Sequence, residues 1–194
     1  MQDTTRRAMK LCFSFIVCFL SLFSTLPLAA QDVYLCVWRN PERTMTKIFP
    51  EARDYKTMTV AISDEVREVI EGKLGFELLP GQQDLFQYFE MTGDGGQVIG
   101  TIIAASQKGE YGAVEFVFGL DTDLTLKDIY IQRARERDRD FKKREFLDLF
   151  VGRSFEDILN FDVTLVAEPT PGATAVIQGV AKELVAFEAL VRTF

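Results

Sequence analysis

One stretch of the 194-residue chain combines residue types suited to holding an anion. Glu168-Pro169-Thr170-Pro171-Gly172-Ala173-Thr174 runs directly into a segment with an apolar stripe. A Pro-Gly pair ahead of a helix leaves backbone N–H groups without partners at the positive end of the helix dipole. Glycine there lets an anion approach closely. The backbone donors from Gly172 to Ala175, with the Thr174 hydroxyl at the same N-terminus, are the candidate phosphate site. Taken without further context, the same residues also make an ordinary Pro-Gly turn with threonine as a helix cap.

Few other residues offer chemistry. The chain has no histidine, which removes His-based triads, His metal sites and a His general base. Cys12, Cys18 and Cys36 form no C-x-x-C pair, so iron–sulfur and zinc-ribbon sites are not expected. Cys36 is expected as a buried small hydrophobe rather than a nucleophile, and Trp38 in a core or at an edge contact. Glu136, Asp138 and Asp140 stand in a mixed-charge run without the apolar setting that raises a carboxyl pKa. Asp121 and Asp123 suggest a calcium loop, but the glycine and terminal glutamate of that loop are missing, and turn chemistry is the better reading. No catalytic residue and no metal ligand is assigned. A net charge of −7 argues against nucleic acid as a partner.

The N-terminus has the pattern of an export signal. Arg6, Arg7 and Lys10 precede an apolar run from Leu11 to Leu22, and Leu28-Ala29-Ala30 offers a cleavage site before Gln31. The run is short for a membrane-spanning helix, which needs about 20 residues. An uncleaved anchor would give the same outward topology. The expected organisation is a signal peptide or anchor over 1–30 and one domain over 31–194, exported to the periplasm or the outer face of the cytoplasmic membrane. Removing 1–30 takes away Asp3, Arg6, Arg7 and Lys10 and leaves a charge of −9. Only Cys36 remains, so the domain depends on its hydrophobic core.

The elements that must position the candidate site are mostly β. Tyr55 to Ile62 reads as extended. Ser63 caps a helix whose apolar positions are Val66, Val69, Ile70 and Leu74, ended by Gly75. Leu85–Met91 and Gln97–Ala105 form a hairpin around a Gly-rich turn. Ala113–Leu120 and Leu124–Gln132 follow, with Asp121-Thr122-Asp123 between them and Val114, Phe116 and Phe118 on one face. Ile48-Phe49-Pro50-Glu51 is a turn-like stop, and Val163–Val166 is strand-like. The long C-terminal helix presents Val176, Val180, Leu184, Phe187 and Val191 along one stripe. The fold class is α+β: a single domain with an antiparallel sheet, a short N-terminal helix and a long C-terminal helix after the G-A-T motif.

Arg133 to Arg144 holds seven basic and three acidic residues, a local charge of +4. It reads as a solvated face or as a patch that contacts phosphate or a partner. Phe146, Leu149 and Phe150 then begin an amphipathic stretch closed by Gly152.

Glu168 to Thr174 with the following helix resembles the Asp-x-x-Ser/Thr-Gly-Ala-Thr motif of FMN-binding domains. These occur in the G-type subunit of Rnf electron-transport complexes, the C-type subunit of sodium-translocating quinone reductases and small exported flavoproteins. Gly172, Ala173 and Thr174 match its core. Glu168 stands in the place of Asp, Pro171 in the place of Ser or Thr, and Val176 where a hydroxyl residue often follows. Phe49-Pro50, the capped helix from Ser63 to Gly75, Val98-Ile99-Gly100 and Arg144 to Arg153 are also similar to family segments, in the family's order.

The resemblance implies FMN, esterified by a flavin transferase to Thr174 or held there noncovalently. Gly172, Ala173, Ala175 and Glu168 would lie around the phosphate, and the flavin ring would lie against Phe116, Phe118 or Phe146. It implies an electron carrier between a membrane-bound donor and a redox partner protein, not a catalyst with its own substrate pocket. The alternative is a cofactor-free binding or assembly module that keeps the fold.

Overall fold

A computed structural model describes residues 41–161, 165–166 and 168–192. Residues 1–40, with the proposed signal segment, Cys36 and Trp38, lie outside them, as do 163–164 of the strand-like run 163–166. The described residues fall within one compact unit, Asp32–Phe194.

The architecture is α+β. Five strands, β1 (Asp54–Ala61), β2 (Leu85–Thr92), β3 (Val98–Lys108), β4 (Ala113–Leu120) and β5 (Leu126–Arg133), form one antiparallel sheet in the order of the sequence. Each connection is a hairpin except that between β1 and β2, which carries helix α2 (Asp64–Leu74). Ser63 caps α2 through its hydroxyl, which accepts the Val66 N–H at 3.3 Å, and Gly75 ends it at φ +73°. That left-handed geometry favours a residue without Cβ.

Helices cover both faces of the sheet, and β3 shows it. Its residues from Gly100 to Gln107 are all buried. Alternate side chains enter separate cores, Ile103 and Ala105 on one face, Ile102 and Ala104 on the other. The larger core lies under α5 (Pro171–Phe187), where Phe116, Phe118, Val176, Val180 and Leu184 are fully buried. Gly179 lets this helix approach the sheet, since a Cβ there would sit 2.7 Å from the Phe116 ring. The smaller core lies under α1 (Glu42–Ile48) and contains Met45, Ile48 and Phe49.

Three features differ from the sequence reading. Leu124 is not in a strand; it sits at φ +62° in the turn before β5. The Asp121 carboxylate accepts the N–H groups of Asp123 (2.9 Å) and Thr125 (2.8 Å), which lengthens the turn. Leu165 and Val166 belong to none of the sheet strands, and Leu165 is half exposed. The C-terminal helix starts at Pro171, inside the Glu168–Thr174 stretch read as leading into it, and after Phe187 continues as a π-helical turn over Glu188–Arg192.

Candidate functional site

The early start of α5 changes what its N-terminus can offer. Pro171 occupies the first helical position and has no N–H. Thr170 is the N-cap; its Oγ1 accepts the Ala173 N–H at 3.3 Å, and its carbonyl accepts the Thr174 N–H at 2.8 Å. The capping threonine is therefore Thr170, and Thr174 lies one turn inside the helix, half-buried. Gly172 and Ala175 are buried. A Cβ on Gly172 would stand 2.3 Å from Cε1 of Phe141. The glycine face expected to admit an anion is thus filled by an aromatic ring that is itself 1% exposed.

Gly172→Ala should therefore lower stability by about 1–3 kcal/mol, the cost typical of forcing a group into a packed core. Urea unfolding measures it, and Phe141→Leu in the same background should recover part of the loss. A Gly172→Ala variant as stable as the parent would show that packing does not require the glycine.

Beside this helix start lies a groove of about 460 Å³. Phe141, Phe146, Leu149, Leu165, Val166 and Ala173 supply its apolar lining. Asp138, Asp140, Lys143, Glu145, Glu168 and Thr170 supply its polar lining. Three segments meet here. The extended chain after β5 brings Asp138. A 3₁₀ turn (Asp140–Lys142) and α3 (Arg144–Leu147) bring the aromatic wall. The chain leading into α5 brings Glu168 and Thr170.

The charge around the groove is negative: four carboxylates against Lys143, whose ammonium pairs with Asp140 at 2.5 Å. That carboxylate raises the Lys143 pKa. The Asp138 carboxyl is held below the usual carboxylate range, first by the Asp140 backbone N–H (3.0 Å) and next by the Thr170 hydroxyl. An intrinsic anion already faces the positive end of α5, where carboxylates are stabilised.

The basic run separates into two faces. Arg133, Arg135, Arg137 and Arg139 are exposed, while the alternate residues Ala134, Glu136 and Asp138 are buried or half-buried. Arg133 pairs with Glu115 at 3.5 Å, and Arg137 lies over the Tyr111 ring. The Lys142 ammonium donates to the Ala134 carbonyl at 3.0 Å. Arg144 pairs with Asp128 at 2.9 Å and with Asp148. Much of the +4 read from the sequence is compensated by residues outside the run.

Of the sequence-derived residues, Glu168 and Ala173 line the groove. Gly172, Thr174 and Ala175 lie beside it in the first turns of α5. Among the three aromatic candidates, Phe146 reaches the groove. Phe116 and Phe118 do not: both are fully buried under α5. The sequence reading missed Asp138, Phe141, Lys143, Leu149 and Leu165 as groove residues. The alternation of arginine with shorter residues over 133–139 was the available signal for Asp138. Among the described residues no three ligating side chains are grouped to hold a metal, and no helix is long and apolar enough to cross a membrane.

No family model and no curated protein matches the chain. Among solved structures it is similar to the crystal structure of Shewanella oneidensis NqrC. The match has 15% identity and a TM-score of 0.41 and covers 74% of this chain and 81% of that one. A likeness this loose carries no functional argument.

Proposed function

We propose that this chain is an exported electron-transfer flavoprotein with FMN esterified to Thr174 and the flavin ring lodged in the groove at the start of α5. One observation carries the reading: a groove of about 460 Å³, apolar along one side, adjoins the helix turn that holds Gly172-Ala173-Thr174. Its size is within the range of about 300–1,000 Å³ common for cofactor sites. The residues fit the parts of the cofactor unequally. Phe146, Leu149 and Val166 suit an aromatic ring. A free phosphate dianion finds Ala173 and Thr174 N–H groups already bonded, Gly172 covered and four carboxylates nearby. Esterification removes one phosphate charge and supplies a tether, so these residues favour covalent over noncovalent FMN. When bound, flavin supplies the redox chemistry, and the protein supplies position and electrostatics.

In this reading residues 1–30 direct export, a flavin transferase installs the cofactor, a membrane-bound donor supplies electrons and a redox partner protein accepts them. The test is intact mass and denaturing-gel fluorescence of residues 31–194 co-expressed with a flavin transferase, as wild type and Thr174→Ala. The expected result is an FMN-ester adduct that Thr174→Ala abolishes. Yellow colour lost on denaturation would establish noncovalent FMN instead. No flavin in either form would leave the second reading, a cofactor-free interaction module, which Pro171 and the acidic groove favour.

A further inference from the structure

We infer that the mouth of this groove docks a partner protein whose contact face carries lysine or arginine side chains around an apolar side chain. The inference deepens the electron-transfer reading, and because it rests on exposed rim residues present with or without flavin, it is testable on the flavin-free chain. Charge complementarity selects the partner. Asp140, Glu145 and Glu168 are exposed at the groove, and Asp138, half-buried in its lining, accepts the Asp140 N–H at 3.0 Å. The one lysine of the lining is paired to Asp140. Leu165, half exposed, adds apolar surface to the same rim.

Apart from Lys143, which offsets Asp140, the chain's own cations do not cancel this field. The exposed arginines of 133–139 alternate away from the inward-facing Glu136 and Asp138, and Arg133 and Arg144 pair with carboxylates outside the groove. A concave site with carboxylates beside apolar walls focuses its potential. A cationic face gains on-rate and orientation there, while an acidic face or a nucleic acid is repelled.

The probe is a fluorescent peptide, Lys-Lys-Leu-Phe-Lys-Lys, titrated against the full chain without flavin at low and at physiological salt. Its glutamate counterpart, Glu-Glu-Leu-Phe-Glu-Glu, is the negative control. The rim variant is Asp140→Asn/Glu145→Gln/Glu168→Gln. A second triple variant, Glu68→Gln/Glu77→Gln/Asp123→Asn, removes the same charge at exposed positions off the groove. The rim variant should bind the lysine peptide about tenfold more weakly at low salt, as expected for three exposed ion pairs together. The off-groove variant should stay within about twofold. Equal losses in both triples would reduce the effect to net charge and overturn the proposal, as would full affinity in the rim variant or binding of the glutamate peptide. Docking retained by a chain that forms no flavin adduct would refute only the flavin reading; an adduct without docking would refute only this one.

Discussion

Lys182→Ala should lose about 3–5 kcal/mol of unfolding free energy, the range for stripping one partner from a buried ion pair. Lys182 is 1% exposed in the middle of α5, although it lies off the apolar stripe, on the side that the stripe alone would leave to solvent. Its three donors have three acceptors: the Ser106 carbonyl at 2.8 Å, and the side-chain oxygens of Gln82 and Gln107, each at 3.1 Å. The carboxylate of Glu183, itself fully buried, lies 3.3 Å away and balances the charge. One ammonium thus joins α5, β3 and the 3₁₀ turn Pro80–Gln82. Truncation leaves a buried carboxylate without its cation and two amide oxygens without their donor. Lys182→Met/Glu183→Gln removes both charges together and should be less destabilised than Lys182→Ala. Urea unfolding decides it: a Lys182→Ala midpoint equal to the parent's would mean the network adds nothing to stability.

This network also marks a boundary of what the sequence discloses. The stripe of Val176, Val180, Leu184 and Phe187 was legible because burial on one side of a long helix repeats every three or four residues. These four are buried, and Val191, the fifth residue of the stripe, is half-buried in the π-helical turn after α5. Lys182 and Glu183 look like solvent-facing residues in that pattern, because hydrophobic periodicity does not register a polar side chain paired inside the core. The hairpins were legible for a similar reason: turn residues and alternation mark β2 to β4 locally. Leu124 misled because an apolar residue beside a strand carries no sign of its positive φ. Helices α1 and α4 (Phe155–Leu159) span 7 and 5 residues, too few for a periodic signal. The capping box that joins Ser154 to Asp157 was the available cue for α4.

The candidate site was legible as a motif and not as a surface. Gly172-Ala173-Thr174 drew attention to the start of α5. The groove beside it is assembled from segments about 30 residues apart, and no local pattern links Asp138 to Thr170. The motif's glycine also has a packing role that resemblance did not reveal, because Phe141 occupies its open face. The alternation in 133–139 turns Asp138 inward to the groove, while Asp140, Glu145 and Glu168 reach it from the later segments.

Phe49→Ala should cost about 3–5 kcal/mol, as expected for emptying the site of a fully buried phenylalanine. The ring follows α1 and rests on two glycines of the sheet. A Cβ at Gly100 would lie 2.3 Å from its Cζ, and one at Gly119 would lie 2.8 Å from its Cε2. Strands β3 and β4 thus present a shallow seat shaped by two missing side chains, and the Lys127 ammonium sits 4.3 Å from the ring centroid. With the ring removed, the glycines leave an unfilled space that neighbours without side chains cannot close. Met45 and Ile48 are then the buried apolar residues left to hold α1 on its face of the sheet. Phe49→Leu keeps part of the filling and should cost less. Urea unfolding gives the energies, and hydrogen exchange of the α1 amides gives the location, since loss of this contact should raise exchange there first. A loss below about 1 kcal/mol with α1 still protected would show that the seat collapses around the gap. This core lies on the face of the sheet away from α5 and the groove. Folded Phe49→Ala protein should therefore keep the parent's affinity for the lysine peptide and its capacity for the Thr174 adduct, which separates an effect on stability from an effect on the site.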